Sequence, residues 1–202
     1  RPYDRFVVLT KEDQGYWGAL PNIRVIPNAL PFTTDTPSDC KAHRVVAAGR
    51  YDFQKNFELL IRLWARLAPS FPDWELYIVG DGKMRAELTA LVSSLGLTGS
   101  ITLATPTHQM QEVYRSSSVY AMTSRYEGLP MVLLEAQQMG LPIVSFACPC
   151  GPRDVITDGR DGFLIEPGDE ERFVAELSRL MADEELRCKM GEEARKASLR
   201  YT

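Results

Sequence analysis

The feature that most constrains the fold is a regular alternation of short apolar runs with longer amphipathic segments, which begins near residue 45. The short runs are rich in Val, Ile and Leu without alternating polar residues, which is typical of strands buried on both faces. The longer segments carry apolar residues at spacings of three and four, the period of a helix. Strands that alternate with helices in this way predict an α/β fold with a doubly wound parallel sheet.

The predicted elements follow each other in a strict order. The predicted strands of the regular region are Val45–Ala48, Glu75–Val79, Ile101–Leu103, Val119–Met122, Pro142–Phe146 and Gly162–Ile165. The predicted helices are Lys55–Ala68, Lys83–Leu95, His108–Ser116, Pro130–Met139, Asp169–Met181 and Glu184–Leu199. A strand, a helix and a strand are predicted before them, at Phe6–Leu9, Lys11–Leu20 and Ile23–Ile26, and the proline-rich stretch Pro27–Asp39 is predicted to be a linker.

The charge balance and the length of the apolar runs exclude several classes of protein. Lys and Arg total 23 and Asp and Glu total 27, a formal net charge of −4, which argues against a protein that coats nucleic acid with dense positive charge. No apolar run approaches the roughly 20 residues of a membrane helix. The four cysteines lack the spacing of a zinc site and are predicted to be free thiols: Cys40, Cys148, Cys150 and Cys188.

Ligands of doubly wound folds bind at the carboxyl ends of the strands, so the candidate residues are those that directly follow each strand. Arg50 follows the first strand of the regular region, and Lys55 stands at or just before the next helix. Two cations beside a helix N-terminus suit a diphosphate. The alternative, in which Arg50 pairs with a carboxylate at the edge of the core and Lys55 is solvated, is equally compatible with the spacing.

The glycines after these strands do not follow the usual dinucleotide or phosphate-loop patterns. The loop after Val45–Ala48 has neither G-x-G-x-x-G nor G-x-x-x-x-G-K-[ST]. Gly80-Asp81-Gly82 follows the strand Glu75–Val79. Its composition favours a tight turn before a helix over a close approach of the backbone to a ligand.

The stretch after the strand Val119–Met122 carries two carboxylates. Glu127 lies in the predicted loop, Gly128 permits an unusual backbone conformation, and Pro130 begins a helix. Glu135 falls inside that helix within an apolar stretch, where a carboxylate is costly to desolvate unless hydrogen-bond donors reach it. Adjacent hydroxyls of a sugar or ribose are such donors. The alternative is that Glu135 bonds to a neighbouring loop and that Glu127 is solvated.

Together these residues resemble the nucleotide-sugar-binding half of retaining glycosyltransferases with the GT-B fold, in particular glycosyltransferase family 4. The resemblance covers nearly the whole chain. Its most specific part is a pair of glutamates with seven residues between them and Gly-Leu-Pro shortly after the first. The matching segments, in the family's order, are Val25–Asn28, Gly49–Arg50 with Lys55–Asn56, Val79–Gly82, Ser124–Pro130 with Glu135–Ala136, Gly140–Val144, Gly151–Pro152 with Val155–Ile156, and Gly159–Leu164.

The resemblance implies a role for each candidate residue. Arg50 and Lys55 match the pair that holds the donor diphosphate, and Glu127 matches the glutamate that contacts the donor sugar, so these three are the expected catalytic residues. Glu135 matches the glutamate that accepts hydrogen bonds from the ribose hydroxyls. The backbone amides of residues 128–131 are expected to meet sugar and phosphate oxygens. The expected donor-binding residues, besides Glu135, are Gly49, Gly128, Leu129, Pro130 and Met131.

The resemblance also implies the reaction. A sugar would pass from a nucleoside-diphosphate sugar to a glycan or lipid-linked acceptor with retention of its anomeric configuration. No metal or other cofactor is expected, because the cationic side chains would stabilise the departing nucleoside diphosphate. No nucleic acid partner and no transmembrane segment are expected. The expected setting is polysaccharide or lipopolysaccharide assembly in the cytoplasm, with peripheral membrane association of the full-length protein as an alternative.

The domain organisation follows from the same resemblance. Residues 1–38 are expected to be the tail of an N-terminal acceptor domain and its linker, residues 39–182 a Rossmann-like nucleotide-sugar-binding domain, and residues 183–202 a C-terminal helix. The chain starts without Met and is interpreted as a fragment that lacks the acceptor domain, so by itself it is expected to be inactive. After Ile101–Leu103 the family usually has a glycine, whereas Ala104-Thr105-Pro106 stands here, near the expected position of the base.

Two other functions are compatible with the same fold. A non-hydrolysing nucleotide-sugar epimerase would need acid–base carboxylates and a histidine in the cleft, and His108 is the histidine that follows a predicted site strand. A non-catalytic nucleotide-binding domain would use the carboxylates for structure alone. Binding of a nucleotide sugar by the chain separates the last alternative from a glycosyltransferase.

Overall fold

The computed structural model describes residues 4–18 and 20–201, and its centre is a parallel sheet of six strands. The strands in chain order are β1 (Phe6–Val8), β2 (Ile23–Val25), β3 (Arg44–Ala48), β4 (Glu75–Val79), β5 (Ile101–Ala104), β6 (Val119–Met122), β7 (Ile143–Phe146) and β8 (Gly162–Ile165). Strands β3 to β8 form the large sheet, and β1 pairs with β2 in a separate parallel sheet of two strands. The predicted α/β fold with a parallel sheet is confirmed.

Helices connect the strands. They are α1 (Lys11–Tyr16), α2 (Phe57–Leu67), α3 (Arg85–Ser94), α4 (Met110–Arg115), α5 (Met131–Gln138), α6 (Pro152–Val155), α7 (Glu170–Ala182) and α8 (Glu184–Ser198). Single 3-10 turns follow α2 at Ala68–Ser70 and α8 at Leu199–Tyr201. Within residues 4–18 and 20–201, none of the helices combines the length and the apolar character needed to cross a bilayer.

The order of the strands across the sheet is β5-β4-β3-β6-β7-β8. The chain builds outward from β3 to β5 and then returns to place β6 on the other side of β3, where Val45 pairs with Val119. All the strands are parallel, so their carboxyl ends lie along one edge. In doubly wound sheets ligands bind at that edge, in the crevice where the strand order reverses. The ends of β3 and β6 therefore mark the position of the site.

Helices cover both faces of the sheet because successive side chains of a strand point to opposite sides. On β3, Val45 and Ala47 belong to one buried cluster and Val46 and Ala48 to the other. The first cluster includes residues of α2, α3 and α7, and the second includes residues of α4 and α5. The two clusters pack against opposite faces of the central strands and so fix the strands whose carboxyl ends carry the site loops.

The helix predicted over Lys55–Ala68 begins later than expected, and the difference matters for the site. Asn56 adopts a left-handed φ of 53°, which is incompatible with continuing a helix, and α2 begins at Phe57. Before it, the amide of Lys55 donates to Asp52 Oδ1 at 3.1 Å and closes a turn. Lys55 therefore lies in the loop after β3 rather than on the helix.

Other predicted bounds shift by smaller amounts. The helix predicted to reach Leu20 ends at Tyr16, because Gly18 follows in a left-handed conformation, and Ala19 lies outside the described residues. The helices predicted from residues 83 and 108 begin at Arg85 and Met110. Helix α6 was not predicted, since four residues are too few to show a helical period.

The first and last segments pack onto the central unit. At the start of α1 the amides of Lys11 and Glu12 donate to the carboxylate of Asp154 at 2.9 and 3.3 Å, which caps α1 from α6. The stretch 27–39 forms neither helix nor strand, as predicted, and Leu30 N donates to the carbonyl of Tyr201 at 2.8 Å. Helix α8 lies against α5, so the segment 183–201 packs beside the helix that carries Glu135.

Candidate functional site

Two loops meet at the edge where the sheet order reverses, residues 49–56 after β3 and residues 123–130 after β6. Arg125 joins them. Its amide donates to the carbonyl of Gln54 at 2.8 Å, and its Nη2 donates to Asn56 Oδ1 at 2.9 Å. Because these bonds reach the residues on both sides of Lys55, they fix the backbone that presents its side chain.

An ion pair bridges the same two loops. Lys55 Nζ lies 2.6 Å from Glu127 Oε1, and the two side chains are 15% and 7% exposed. Gln54 Nε2 lies 3.4 Å from the other oxygen of Glu127, and the amide of Glu127 donates to the carbonyl of Pro149 at 2.9 Å. The two alternatives in which Lys55 or Glu127 is solvated are therefore wrong on these points, because both side chains are paired and mostly buried.

A cleft of about 320 Å³ opens at this edge. Among the predicted site residues, Gly49, Arg50 and Glu135 line it directly. A Cβ on Gly49 would lie 2.9 Å from Cε of Lys55, so the lysine side chain packs directly against the glycine that lines the cleft. The residues that line the cleft are Ala48, Gly49, Arg50, Val79, Gly80, Asp81, Pro106, Thr107, Met110, Tyr114, Val132 and Glu135.

Arg50 points into solvent at the rim of the cleft. Its side chain is 78% exposed, and its Nε lies 3.4 Å from Asp52 Oδ2. The alternative in which Arg50 pairs with a carboxylate at the edge of the core is met only in part, because the partner Asp52 belongs to the same loop as Arg50. The contact is long and exposed, so it costs little to exchange for a ligand anion. Arg50 is thus a cation whose side chain could turn to contact a diphosphate in the cleft.

Glu135 is held by a residue that the sequence did not single out. Tyr114, fully buried in α4, donates its hydroxyl to Glu135 Oε2 at 2.7 Å. Burial raises the pKa of Glu135 above its usual value, and the hydrogen bond from Tyr114 opposes part of that rise. The expected alternative, a bond to a neighbouring loop, is wrong in detail, because the partner is a helical side chain.

The backbone amides expected to meet ligand oxygens lie at the start of α5. Within the described residues, the amides of Gly128, Leu129 and Met131 donate to no protein acceptor. Pro130 has no amide hydrogen and immediately precedes α5, as predicted from its position. A side chain on Gly151 would overlap Pro130, so the loop after β7 packs directly against this turn. The free amides and the helix N-terminus together favour an anion or a sugar oxygen.

Gly80 has a packing role that composition alone did not identify. A Cβ on Gly80 would overlap the carbonyl oxygen of Gly49, so the loops after β3 and β4 approach each other too closely for a side chain. Asp81 Oδ1 accepts from the amide of Gly82 and from Arg85 Nε at 2.8 and 2.7 Å. The segment forms the favoured turn before α3, and it also lines the cleft.

The histidine and the cysteines do not form a metal or epimerase site among the described residues. Among the described residues no three His, Cys, Asp or Glu side chains are grouped as a metal site, and the four cysteines are free thiols. His108 is exposed and does not line the cleft. Cys148 is buried near Lys55 and Glu127, and burial raises the pKa of its thiol to about 12, so it is an unreactive thiol at neutral pH.

The site residues that sequence reasoning missed are side chains from elements outside the two predicted loops. Tyr114 and Met110 come from α4, and Thr107 from the loop after β5. No local signal marks them, because each is an ordinary residue of its own helix or loop. Only the strand order brings them to the same edge.

The chain is similar to known glycosyltransferases in sequence. A family model described as "Glycosyl transferases group 1" matches residues 34–197. The amylovoran biosynthesis glycosyltransferase AmsD of Erwinia amylovora is 38% identical over 208 residues, which cover 98% of this chain and 58% of the Erwinia protein. The chain therefore spans little more than half the length of this relative.

Solved structures show the same fold. TarM of Staphylococcus aureus, solved with fondaparinux, alpha-GlcNAc-glycerol and UDP, superposes with a TM-score of 0.89 at 22% identity, covering 98% of this chain and 41% of TarM. The lipopolysaccharide outer core galactosyltransferase WaaB superposes with a TM-score of 0.75 at 26% identity, covering 94% of this chain and 57% of WaaB. The six-stranded parallel sheet is thus that of GT-B glycosyltransferases.

Proposed function

The chain belongs to the glycosyl transferases group 1 family, and from that premise we propose that it is the donor-binding domain of a retaining glycosyltransferase of family 4. The donor is a nucleoside-diphosphate sugar, and the cleft at the reversal of the sheet holds it. One observation carries the proposal. Arg50 and Glu135, which line the cleft, lie at the same edge of the sheet as the ion pair of Lys55 and Glu127.

The cations hold the diphosphate. Arg50 is exposed at the rim and the side chain of Lys55 packs against Gly49, so phosphates bound beside Gly49 would lie near both positive charges. During transfer the bond from the sugar to the diphosphate breaks, and its electron pair stays on the phosphate oxygen. Preorganised cations stabilise that developing charge without help from a metal ion. This is the role proposed for Arg50 and Lys55.

The two carboxylates and the free amides hold the rest of the donor. Glu135 lines the cleft and accepts from the ribose hydroxyls. Glu127 lies in the loop beside the start of α5 and accepts from a hydroxyl of the donor sugar. The unpaired amides of Gly128, Leu129 and Met131 donate to sugar and phosphate oxygens. Pro106 and Thr107 also line the cleft, and the base is proposed to lie beside them.

The acceptor is proposed to be a glycan or a lipid-linked glycan. Two relatives support this class by name, the amylovoran biosynthesis glycosyltransferase and the lipopolysaccharide 1,6-galactosyltransferase of Salmonella typhimurium. The proposed setting is polysaccharide or lipopolysaccharide assembly in the cytoplasm. Residues that bind the acceptor would come from a preceding domain, so we propose that the chain alone binds donor without transferring the sugar. An epimerase is not favoured, since His108 is exposed and is not among the residues that line the cleft.

A thermal-shift screen of nucleotide sugars against the chain tests the proposal, because a ligand that binds the native state raises its melting temperature. The best ligand is then titrated by calorimetry into the unaltered chain and into Glu135→Ala. We expect saturable binding that Glu135→Ala weakens about tenfold or more. Glu171→Ala, which removes an exposed carboxylate on α7, is the matched control and should bind as the unaltered chain does. Equal affinities of all three proteins would contradict the ribose assignment.

A further inference from the structure

Tyr114 is a buried residue at the cleft. Its side chain is fully buried in α4, and its ring packs against that of Tyr120, with the ring centroids 6.3 Å apart. The hydroxyl reaches out of this packed position to Glu135 Oε2 at 2.7 Å. Because packing on all sides fixes the ring, the hydroxyl holds the carboxylate in one orientation.

The two oxygens of Glu135 differ as a result. Oε2 accepts the hydroxyl of Tyr114. Oε1 has no protein donor among residues 4–18 and 20–201, and it is not sealed from solvent. Since Glu135 lines the cleft, Oε1 is the oxygen available to a ligand. An ionised carboxylate accepts hydrogen bonds at both oxygens and carries no donor of its own, and the donated hydroxyl favours that form.

We propose that Tyr114 is a positioning residue for the nucleoside: its hydroxyl orients the carboxylate of Glu135 so that Oε1 accepts from the ribose hydroxyls of the donor. This inference rests on the proposed function and assigns the recognition of ribose to a pair of residues rather than to Glu135 alone. Removal of the hydroxyl leaves Glu135 in place but free to rotate. It should therefore reduce the discrimination between ribose and dideoxyribose rather than affect all binding equally.

The chain supplies a matched control. Tyr120 is a second buried tyrosine beside Tyr114, but its hydroxyl bonds to the amide and carbonyl of Ala48 at 3.2 and 3.3 Å. Tyr120→Phe therefore deletes a buried hydroxyl of the same chemistry, in the same core, that does not touch the carboxylate. A general loosening of the core would affect both variants alike, whereas a positioning effect on Glu135 belongs to Tyr114→Phe alone.

The test is calorimetric titration of UDP and GDP, followed by comparison of the tighter ligand with its 2′,3′-dideoxy analogue. The unaltered chain and Tyr120→Phe should prefer the ribonucleotide by the same factor. In Tyr114→Phe the affinity for the ribonucleotide should fall about five- to tenfold, with little change for the dideoxy analogue. Glu135→Gln should lose the preference, and adding Tyr114→Phe to it should cause no further loss, because both changes remove one interaction.

The outcomes separate the two proposals. A ribose preference that survives in Tyr114→Phe while Glu135→Gln loses it would overturn the role of Tyr114 and leave the proposed function standing. Equal losses in Tyr114→Phe and Tyr120→Phe for both ligands would also overturn it, since that pattern indicates a loosened core. Failure of the unaltered chain to bind either nucleoside diphosphate would overturn the proposed function, and the role of Tyr114 with it.

Discussion

Lys55 Nζ lies 2.6 Å from Glu127 Oε1, and this ion pair spans the two loops on either side of the point where the sheet order reverses. Each charge neutralises the other in a largely buried position. A donor in the cleft would offer a phosphate to Lys55 and a sugar hydroxyl to Glu127. Under the proposed function, donor binding would therefore replace this ion pair with separate contacts to Lys55 and to Glu127.

The first prediction concerns the stability of this pair. Lys55→Met keeps the alkyl chain that packs against Gly49 but leaves Glu127 as an unpaired, 7% exposed charge. We expect the free energy of unfolding to fall by about 2 kcal/mol, since removing one member of a buried pair is costly. Urea unfolding measures the loss.

Arg62→Met is the control for that measurement. Arg62 pairs with Glu58 on the surface of α2, and both side chains are about half exposed. The loss should be below about 0.5 kcal/mol, because solvent-exposed pairs contribute little. Equal losses for the two variants would show that the burial of Glu127 has no energetic consequence.

The second prediction concerns the contact between the loops after β3 and β4. Gly80→Ala would place a methyl group on the carbonyl oxygen of Gly49 and force the two loops apart. We expect a loss of about 2 kcal/mol in stability together with weaker nucleotide binding, because both loops line the cleft. Gly99→Ala is the control, since nothing lies within 4 Å of a Cβ at that position. A Gly80→Ala protein as stable as Gly99→Ala would contradict the packing described for this edge.

The third prediction is a pH dependence at Glu135. Burial raises its pKa in the folded protein above the value of about 4.5 expected for an unfolded chain, so the native state binds the proton more tightly. The stability that Glu135 contributes therefore falls as the pH rises from the unfolded pKa through the folded pKa. Above the folded pKa, the charged form carries a constant penalty. Glu135→Gln removes that penalty.

Urea unfolding of Glu135→Gln and the unaltered chain, from about pH 4.5 to about pH 8, checks the sign. The variant should be the more stable protein at neutral pH, and its advantage should shrink as the pH is lowered. An advantage that is independent of pH would mean that the carboxyl titrates normally. A stability cost at this carboxylate would be in keeping with the ligand-binding role proposed for Glu135.

The order and type of the elements could be predicted because the signals are local. Each strand of the large sheet is a short apolar run, and each long helix shows the helical period. The start of α2 could not be placed, since the left-handed conformation of Asn56 depends on the neighbouring loop, where Arg125 bonds to it. The four-residue helix α6 was missed because it is too short to carry a period.

The candidate site could be predicted only in part, for a related reason. Residues that directly follow strands were found because parallel strands bring their carboxyl ends together. The partners of those residues could not be found, since Tyr114 and Glu135 lie on different helices and meet only after the chain has folded. The same applies to Lys55 and Glu127, whose pairing depends on β3 and β6 being neighbours.

The measurement that tests the central claim most directly is calorimetric titration, at low salt, of the nucleoside diphosphate that binds best into Arg50→Ala/Lys55→Ala. Arg62→Ala/Arg66→Ala removes the same charge from the exposed side of α2 and is the matched control. We predict that the control binds as the unaltered chain does, whereas loss of Arg50 and Lys55 weakens binding at least about a hundredfold, the loss of two charge-assisted hydrogen bonds. Equal affinity of the two double variants, with both folded, would contradict the claim that this edge of the sheet holds the donor diphosphate.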